Sequence, residues 1–305
     1  MRKINFLFKF NKKSHNIRII NTAMIIWLAS YPKSGNTWLR ALLSSYYFSE
    51  NGNFDTKLLG KIDQFPRKKF FKDYDYELNS VGSTSKYWIS AQDRINNDKK
   101  IKFFKTHNSL CVFNKNNFTN NKNTLGSIYI VRDPRNIITS LKNHFEIDYE
   151  ESLKFMLSKN KFTYDTNLKD DFSDFQFISS WEVHYRSWLK NKIFPVKFIK
   201  YEDLINKTYD VFKDVVLFID KISNSKNKFN KQKAKNSVNT TSFSKLKNYE
   251  NTIGFEEAIV SKKNSKKIPF FNLGPDNDWK KILSNDLQKK LNISFEKNLK
   301  ELKYL

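Results

Sequence analysis

Residues 25–40 read IIWLASYPKSGNTWLR and predict a strand, a loop and a helix in succession. The apolar run at the start is typical of a buried strand, and the Pro, Ser and Gly after it predict a short turn. Apolar residues then recur at helical spacing, at Trp38, Leu42, Leu43 and Tyr46. This order surrounds one point with backbone N–H groups and a helix N-terminus, which favours a bound phosphate or sulfate.

The side chains of the loop strengthen this anion site. Lys33 supplies a mobile positive charge, and Ser34 and Thr37 supply hydroxyl donors. The loop is not a Walker A motif, because that motif has two glycines and a late lysine, whereas here Lys33 precedes the single Gly35. An ordinary strand–turn–helix corner is the simpler interpretation, and the residue types at these spacings argue against it.

The composition is that of one large globular domain with a very basic surface. The 305 residues can bury one core, and nothing in the sequence requires a second domain. The net charge is +24 and the pI is near 9.8, so the protein would attract a nucleotide, an acidic glycan, nucleic acid or a membrane. Abundant Lys, Asn, Ile, Phe and Tyr with scarce Gly and Pro would also follow from A/T-rich codons, so the charge alone identifies no partner.

Residues 1–22 are predicted to form a loose basic extension ahead of a domain at 23–305. They lack the continuous apolar region of a signal peptide, and peripheral contact with a membrane is the alternative role. No run approaches roughly 18 apolar residues, so we expect no transmembrane span. Cys111 is the only cysteine, which excludes an intrachain disulfide and fits a reducing compartment. We therefore expect a cytoplasmic protein.

Apolar runs and helical periodicities alternate along the chain. This alternation predicts an α/β fold, a P-loop-like parallel β-sheet in a single domain with helices on both faces. The predicted strands cover 24–28, 101–105, 127–131 and 196–199. The predicted helices cover 37–48, a segment opened by the capping Asp133 and Pro134, then 175–190, 204–222 and 283–305.

Several polar side chains stand just after predicted strands, namely Lys33, His107, Arg132 and Tyr201. Ligands of parallel sheets bind beyond the carboxyl ends of the strands, so we expect these side chains around one ligand. Ser140 follows Arg132 by about two helical turns, and the two could bracket one phosphate. A surface salt bridge and an exposed serine are the commoner outcome for such a pair alone.

Lys105-Thr106-His107 closes a predicted strand, and His107 suits the role of a general base. An acceptor hydroxyl is a poor nucleophile until its proton is removed, and imidazole titrates near neutral pH. A histidine packed in a strand-end turn is the alternative. His144 and His184 fall on predicted helices, and we expect packing or surface roles for both.

The chain resembles the sulfotransferases that use 3′-phosphoadenosine 5′-phosphosulfate (PAPS), over roughly residues 24 to 282. Their phosphosulfate loop reads Tyr-Pro-Lys-Ser-Gly-Thr-Thr-Trp, from which this chain departs only at Asn36. The run from Val131 to Ser140 is similar to their 3′-phosphate element, and Lys105-Thr106-His107 to the segment that holds their general base. The resemblance implies cofactor contacts from Lys33, Ser34, Gly35, Asn36, Thr37, Trp38, Arg132 and Ser140.

Further segments extend the resemblance toward the adenine. Tyr201 heads a Tyr-Glu-Asp element, and Thr241 and Phe243 lie in a Thr-Ser-Phe segment, which together with Trp38 implies an adenine cradle. Gly274 and Asp278-Trp279 fit the family's Arg-Lys-Gly-x-x-Gly-Asp-Trp. This last motif lacks its two cations, because Asn272 and Leu273 stand in their place, and its second glycine is replaced by Asn277. We expect a nearby lysine to replace them, among Lys262, Lys263, Lys266 and Lys267.

The resemblance implies a metal-independent enzyme that moves the sulfuryl group of PAPS to an acceptor hydroxyl or amine. In it, His107 would be the base, while Lys33 and Lys105 would stabilise the developing charge. A nucleotide kinase or other phosphoryl transferase is one alternative, and a non-enzymatic binder of nucleic acid or acidic polymer is another. The sequence contains no nucleic-acid module. We expect the segment 63–94 to form part of the acceptor pocket, and prefer a sugar hydroxyl over a small phenol or a lipid.

Overall fold

The computed structural model describes residues 23–164, 170–261 and 263–305. The predicted extension at 1–22 and its suggested membrane contact lie outside these ranges, as does Lys262. The strands are β1 (Ile25–Ser30), β2 (Asp63–Gln64), β3 (Lys102–Thr106), β4 (Val112–Phe113), β5 (Asn116–Asn117), β6 (Thr124–Val131), β7 (Phe162–Thr163), β8 (Gln176–Phe177) and β9 (Val196–Lys200).

Helices alternate with the longer strands. They are α1 (Asn36–Phe48), α2 (Trp88–Asn96), α3 (Pro134–Phe145), α4 (Tyr149–Leu157), α5 (Trp181–Leu189), α6 (Tyr201–Asn206), α7 (Thr208–Ile222), α8 (Lys231–Thr240), α9 (Phe243–Thr252), α10 (Trp279–Ile282) and α11 (Asn285–Glu301). Short 3₁₀ turns cover Thr56–Lys61, Lys68–Phe71, Ser83–Tyr87 and Gly274–Asp276. Among the described residues, no helix is both long and apolar enough to cross a membrane.

The central sheet has the strand order β2-β3-β1-β6-β9, and every neighbouring pair is parallel. The pairs β4-β5 and β7-β8 form small antiparallel ribbons. The predicted α/β fold is therefore confirmed. Because β1 lies between β3 and β6, its carboxyl end opens onto the crevice where ligands of such sheets bind.

The apolar run of β1 is buried on both faces, as expected for the middle of a parallel sheet. Trp27 packs on one face, with ring centroids 5.1 to 6.0 Å from those of Phe65, Phe104 and Phe118. Its indole N–H donates to Thr124 Oγ1 at 2.8 Å, so burial leaves no unpaired donor there. Ile26 points to the other face, because side chains alternate along a strand.

Helices cover the two faces of the sheet separately. One core cluster joins residues of α3, α4, α5 and α11 to the face of Trp27. The other joins residues of α1, α7 and α8 to the face of Ile26. These two layers hold the sheet rigid and leave its carboxyl edge for the site.

Some predicted elements differ from the structure in extent. The helix predicted at 175–190 begins only at Trp181, because Gln176 and Phe177 pair with β7 and the Ser180 hydroxyl accepts from Val183 N. The helix predicted at 204–222 is two helices, which meet at Lys207. The sequence predicts no helix at 231–240, where α8 forms and places Ala234 in the apolar core.

Candidate active site

A cavity of about 850 Å³ lies at the carboxyl edge of the sheet. The chain reaches it directly after four strands, where β1, β3, β6 and β9 end at Ser30, Thr106, Val131 and Lys200. All four strand-end residues predicted from the sequence lie on the wall of this cavity, namely Lys33, His107, Arg132 and Tyr201.

The backbone of the loop between β1 and α1 is curved so that it can surround an anion. Lys33 and Gly35 both adopt positive φ, at 65° and 98°, on either side of Ser34. Such alternation turns successive N–H groups toward one point, and the free N–H groups of the first turn of α1 follow. A side chain at Gly35 would also collide with Tyr201, whose Cδ2 would lie 2.4 Å from the new Cβ.

Asn36, the departure from the family's loop, holds the end of β1. Its Nδ2 donates to Leu28 O at 2.9 Å and to Ser30 Oγ at 3.2 Å. The amide thus ties the first residue of α1 to the strand before the loop. These two hydrogen bonds hold the loop against the end of β1. A threonine hydroxyl has one proton, so it could not donate both of them.

Lys33 reaches into the cavity with its ammonium group 4.2 Å from the ring centroid of Phe270. Burial lowers the pKa of Lys33 to about 7, and the positive charges of Lys105 and Arg132 act in the same direction. Glu257 opposes them. Lys33 is therefore poised to gain its full charge when an anion enters.

Glu257 is a site residue that sequence reasoning missed. Its carboxylate accepts from Thr37 Oγ1 at 2.8 Å, from Lys105 Nζ at 3.3 Å and from the guanidinium of Arg40. Burial alone would raise the pKa of Glu257, but Lys105 and Arg40 outweigh it and hold the pKa well below its usual range. The contact with Thr37 spans 220 residues of sequence, and no spacing or motif signals it.

His107 is held by its backbone and by one ring nitrogen. Its backbone N–H donates to Gln176 Oε1, and its ring nitrogen Nδ1 lies 2.8 Å from Ser30 O. A carbonyl oxygen can only accept, so Nδ1 carries the proton and Nε2 carries the lone pair. Burial, followed by the charge of Lys105, lowers the pKa of His107 to about 3. The ring is therefore neutral near pH 7 with a free lone pair on Nε2, and the same burial makes it a weaker base than a free imidazole.

His184 supports His107 from the core. Its Nε2 donates to His107 O at 3.0 Å, and its Nδ1 accepts from Tyr129 OH at 2.7 Å. His184 is completely buried, and burial lowers its pKa to about 3. His144 lines the cavity, and burial lowers its pKa likewise to about 3.

Arg132 joins three parts of the site. Its Nη1 donates to Lys33 O at 3.0 Å and to Ser140 Oγ at 3.4 Å. The guanidinium also lies 4.3 Å from the ring centroid of Tyr201. Asn277 Nδ2 approaches Ser140 Oγ at 3.4 Å from the other side. The anion loop, α3 and α6 therefore converge on one cation.

Aromatic side chains form the wall next to Arg132. The rings of Trp38 and Tyr201 meet edge to face at 6.0 Å. Phe243 and Gly274 also line the cavity, and a Cβ at Gly274 would lie 2.2 Å from the Phe243 ring. Glycine is required at this position both by that contact and by its φ of 56°.

Two sequence-predicted residues do not line the cavity. Ser34 is buried, and its hydroxyl has no hydrogen-bond partner within the described ranges. Thr241 is fully buried, and its hydroxyl donates to Ser237 O at 2.7 Å. The next residue, Ser242, lines the cavity in its place.

The described lysines that were expected to replace the missing Arg-Lys pair lie away from the cavity wall. Asn272 and Leu273 line the cavity, whereas Lys263, Lys266 and Lys267 do not. Among described residues, the cations on the wall are Lys33, Arg67, Lys68, Lys69, Lys105 and Arg132. Of these, Arg132 is the one in contact with Ser140.

The wall near His107 is polar and partly cationic. Gln64, Arg67, Lys68 and Lys69 contribute to it from the segment predicted as an acceptor pocket. The cations are about half exposed and already paired, Lys68 with Asp171 at 2.7 Å and both Arg67 and Lys69 with Asp63. Within the described parts of the chain, no group of three or more His, Cys, Asp or Glu side chains is arranged to hold a metal ion.

A family model described as the sulfotransferase domain matches residues 25–303. The chain belongs to the sulfotransferase domain family. The match covers every described strand of the sheet and every site residue named above. None of the curated protein sequences compared with this sulfotransferase matches it.

Solved structures share the fold of this sulfotransferase. Mouse sulfotransferase SULT7A1 complexed with PAP is 17% identical, with a TM-score of 0.50 over 90% of this chain and 84% of that one. Retinol dehydratase with androsterone and the inactive cofactor PAP is 14% identical, with a TM-score of 0.51 over 91% and 81%. Retinol dehydratase in a complex with retinol and PAP is also 14% identical, with a TM-score of 0.52 over 91% of this chain and 81% of that one. At these identities the likeness concerns the fold.

Proposed function

We propose that this sulfotransferase moves the sulfuryl group of PAPS to an acceptor hydroxyl, with His107 as the general base. The observation that carries the proposal is the bond between Ser30 O and Nδ1 of His107, 2.8 Å long. It leaves the lone pair on Nε2 of a ring that lines the same cavity as the anion loop. The neutral imidazole has the lone pair that removal of a proton from an incoming hydroxyl requires, and the negative charge of a bound nucleotide would raise its pKa from the low value in the free site.

The nucleotide would lie along the wall from Lys33 to Phe243. The loop 33–38 would hold the 5′-phosphosulfate, and Arg132 with Ser140 would hold the 3′-phosphate. The aromatic wall of Trp38, Tyr201 and Phe243 would take the adenine. The sulfotransferase and retinol dehydratase structures named above contain PAP, the product that remains after sulfuryl transfer, which supports this assignment.

In the proposed reaction, the acceptor oxygen forms a bond to sulfur while the bond between sulfur and the 5′-phosphate oxygen breaks. The acceptor proton passes to Nε2 of His107, and the electron pair of the broken bond stays on the phosphate of PAP. Lys33 and Lys105 stabilise the charge that develops on the transferring group and on the leaving oxygen. Positioning and electrostatics supply most of the rate gain, as in phosphoryl transfer.

A sugar hydroxyl is the acceptor that we propose. Gln64, Thr163 and Gln176 line the cavity on the side of His107 and offer both donors and acceptors. Tyr164 adds an aromatic face on the same wall. A polyhydroxylated ring uses such a lining better than a flat phenol or an alkyl chain does.

The test is a transfer assay with PAPS carrying radiolabelled sulfate, run in EDTA. Neutral and acidic oligosaccharides, a phenol, a fatty alcohol and an amine serve as acceptors. We expect label to appear on an oligosaccharide, with mass spectrometry locating it on a hydroxyl oxygen. Transfer only to the phenol, alcohol or amine would contradict the sugar assignment, and transfer from ATP but not from PAPS would contradict the proposed reaction.

A further inference from the structure

The carboxylate of Glu257 is bound by groups that the proposed function assigns to the phosphosulfate. Two of its three partners, Thr37 and Lys105, are groups assigned to the bound nucleotide. Thr37 stands in the first turn of α1, directly behind the anion loop. The single hydroxyl proton of Thr37 cannot serve a phosphate and the carboxylate at once, and the two anions would repel each other beside Lys105.

The backbone that carries Glu257 is anchored on both sides. Residues 259–261 pair with residues 266–268, since Ser261 N donates to Lys266 O and Ile268 N donates to Ile259 O, both at 2.8 Å. The Ser261 hydroxyl donates to Glu146 at 2.6 Å. Because these contacts fix the backbone that follows Glu257, displacement of the whole segment would be costly.

Aromatic packing holds the other end of the segment. Phe255, Phe270 and Phe271 pack together in a cluster with Leu246. Glu250 accepts from the N–H groups of Phe270 and Phe271, at 2.6 and 2.8 Å. With both ends of the segment held, displacement falls on the Glu257 side chain, and its ion pair with the buried Arg40 opposes that movement.

We propose that Glu257 is a built-in competitor for the anion site, which the nucleotide must displace from Thr37 and Lys105 in order to bind. This inference rests on the proposed function for the identity of the nucleotide. Small dianions such as free sulfate gain only the contacts of the loop itself, so the carboxylate keeps them out. PAPS gains the contacts of Arg132 and the aromatic wall as well, and these offset the displacement. Glu257 therefore sets a threshold of binding free energy that a ligand must exceed in order to occupy the site.

Displacement of the Glu257 carboxylate has a quantitative consequence for ligand affinity. Every ligand that displaces the carboxylate meets the same opposing free energy, whatever else the ligand contacts. Replacing Glu257 should therefore tighten the binding of PAP and of inorganic pyrophosphate by the same factor. Since hydrogen bonds to charged groups are at stake, that factor should be about tenfold or more.

The experiment measures the affinity of wild type, Glu257→Gln and Glu257→Ala for PAP and for inorganic pyrophosphate by calorimetry. Glu256→Gln is the matched control, because Glu256 is the neighbouring residue, carries the same charge, is exposed and does not line the cavity. We expect both Glu257 variants to bind both ligands more tightly, and the control to bind as wild type does. Equal or weaker binding by the Glu257 variants would overturn the proposal, as would an equal gain in the control.

A second measurement uses the wild-type protein and stands even if the variants do not fold. Carbodiimide labelling of carboxylates, read by mass spectrometry, should increase at Glu257 when PAP is added and stay constant at Glu256. Unchanged or reduced labelling of Glu257 in the PAP complex would overturn the displacement. Failure of PAP to bind the wild type and both Glu257 variants would instead contradict the proposed function.

Discussion

The carbonyl oxygen of Ser30 lies 2.8 Å from Nδ1 of His107, and this single bond links the last residue of β1 to the first residue after β3. The two strands are neighbours in the sheet, with Ala29 paired to Thr106. Strand pairing therefore sets the ring beside the anion loop and selects its tautomer. The proposed base and the proposed sulfuryl site are positioned by the same two strands.

Lys33 should act mainly in the transition state, because it is placed to meet charge on the transferring group. Lys33→Ala should lower kcat and leave PAP affinity almost unchanged. Lys33→Arg should restore little activity, since a planar guanidinium replaces a compact ammonium. Steady-state kinetics and PAP calorimetry measure this split. Normal kcat with weakened PAP binding in Lys33→Ala would refute the role.

The lowered pKa of Lys33 also predicts a pH dependence. With a pKa of about 7, the side chain loses its proton as the pH rises through neutrality in the free enzyme. The value of kcat/KM for PAPS reports the free enzyme, so it should decline above about pH 7. The residual activity of Lys33→Arg should lack this decline, because arginine stays charged. An alkaline limb that is identical in both proteins would assign the titration to another group.

Arg132 should carry most of the recognition of the 3′-phosphate, because Asn272 and Leu273 supply no charge. Loss of a charge-assisted contact of this kind costs on the order of 2–4 kcal/mol, or about 30- to 1000-fold in affinity. Arg132→Ala should thus bind PAP much more weakly and bind adenosine 5′-monophosphate almost as wild type does. Calorimetry with both nucleotides tests this. Equal weakening of both would make Arg132 a structural residue.

Three histidines with lowered pKa values predict a loss of stability in mild acid. His107, His144 and His184 each have a pKa of about 3 in the fold, against an ordinary value of 6.5. Between these values the unfolded chain binds more protons, so the free energy of unfolding falls as the pH drops from 6.5. His144→Gln should reduce that slope by up to about 1.4 kcal/mol per pH unit, a limit approached near pH 5 as the unfolded histidine becomes fully protonated. Denaturant unfolding between pH 6.5 and 5 measures it, and a wild-type slope in the variant would contradict the assignment.

The sequence predicted the sheet because its central strands are continuous apolar runs that end in turn residues. Asp133 and Pro134 also signalled the start of α3, where the Asp133 carboxylate accepts from Arg135 N. By contrast, β2 and β8 are two residues long, and their short pairings leave no periodic pattern to detect. Helix α8 was missed since its one fully buried apolar residue, Ala234, gives almost no amphipathic signal.

The site residues that lie within local sequence motifs could be predicted from the sequence. Strand-end residues such as Lys33, His107 and Arg132 stand out from position and chemistry, and the structure gathers them at one cavity. Glu257 could not be found this way, because its partners lie more than 150 residues away along the chain. The same holds for the bond from His184 to His107, which depends on how α5 packs against the sheet.

The most direct test of the central claim is the rate of sulfate transfer from radiolabelled PAPS by His107→Ala, measured beside its PAP affinity. Removal of a general base should lower kcat by about 10²- to 10⁴-fold. PAP should bind the variant as it binds wild type, because the anion loop and Arg132 stay intact. Turnover near the wild-type rate in His107→Ala would contradict the account, and His107 would then be a packed residue at the end of β3.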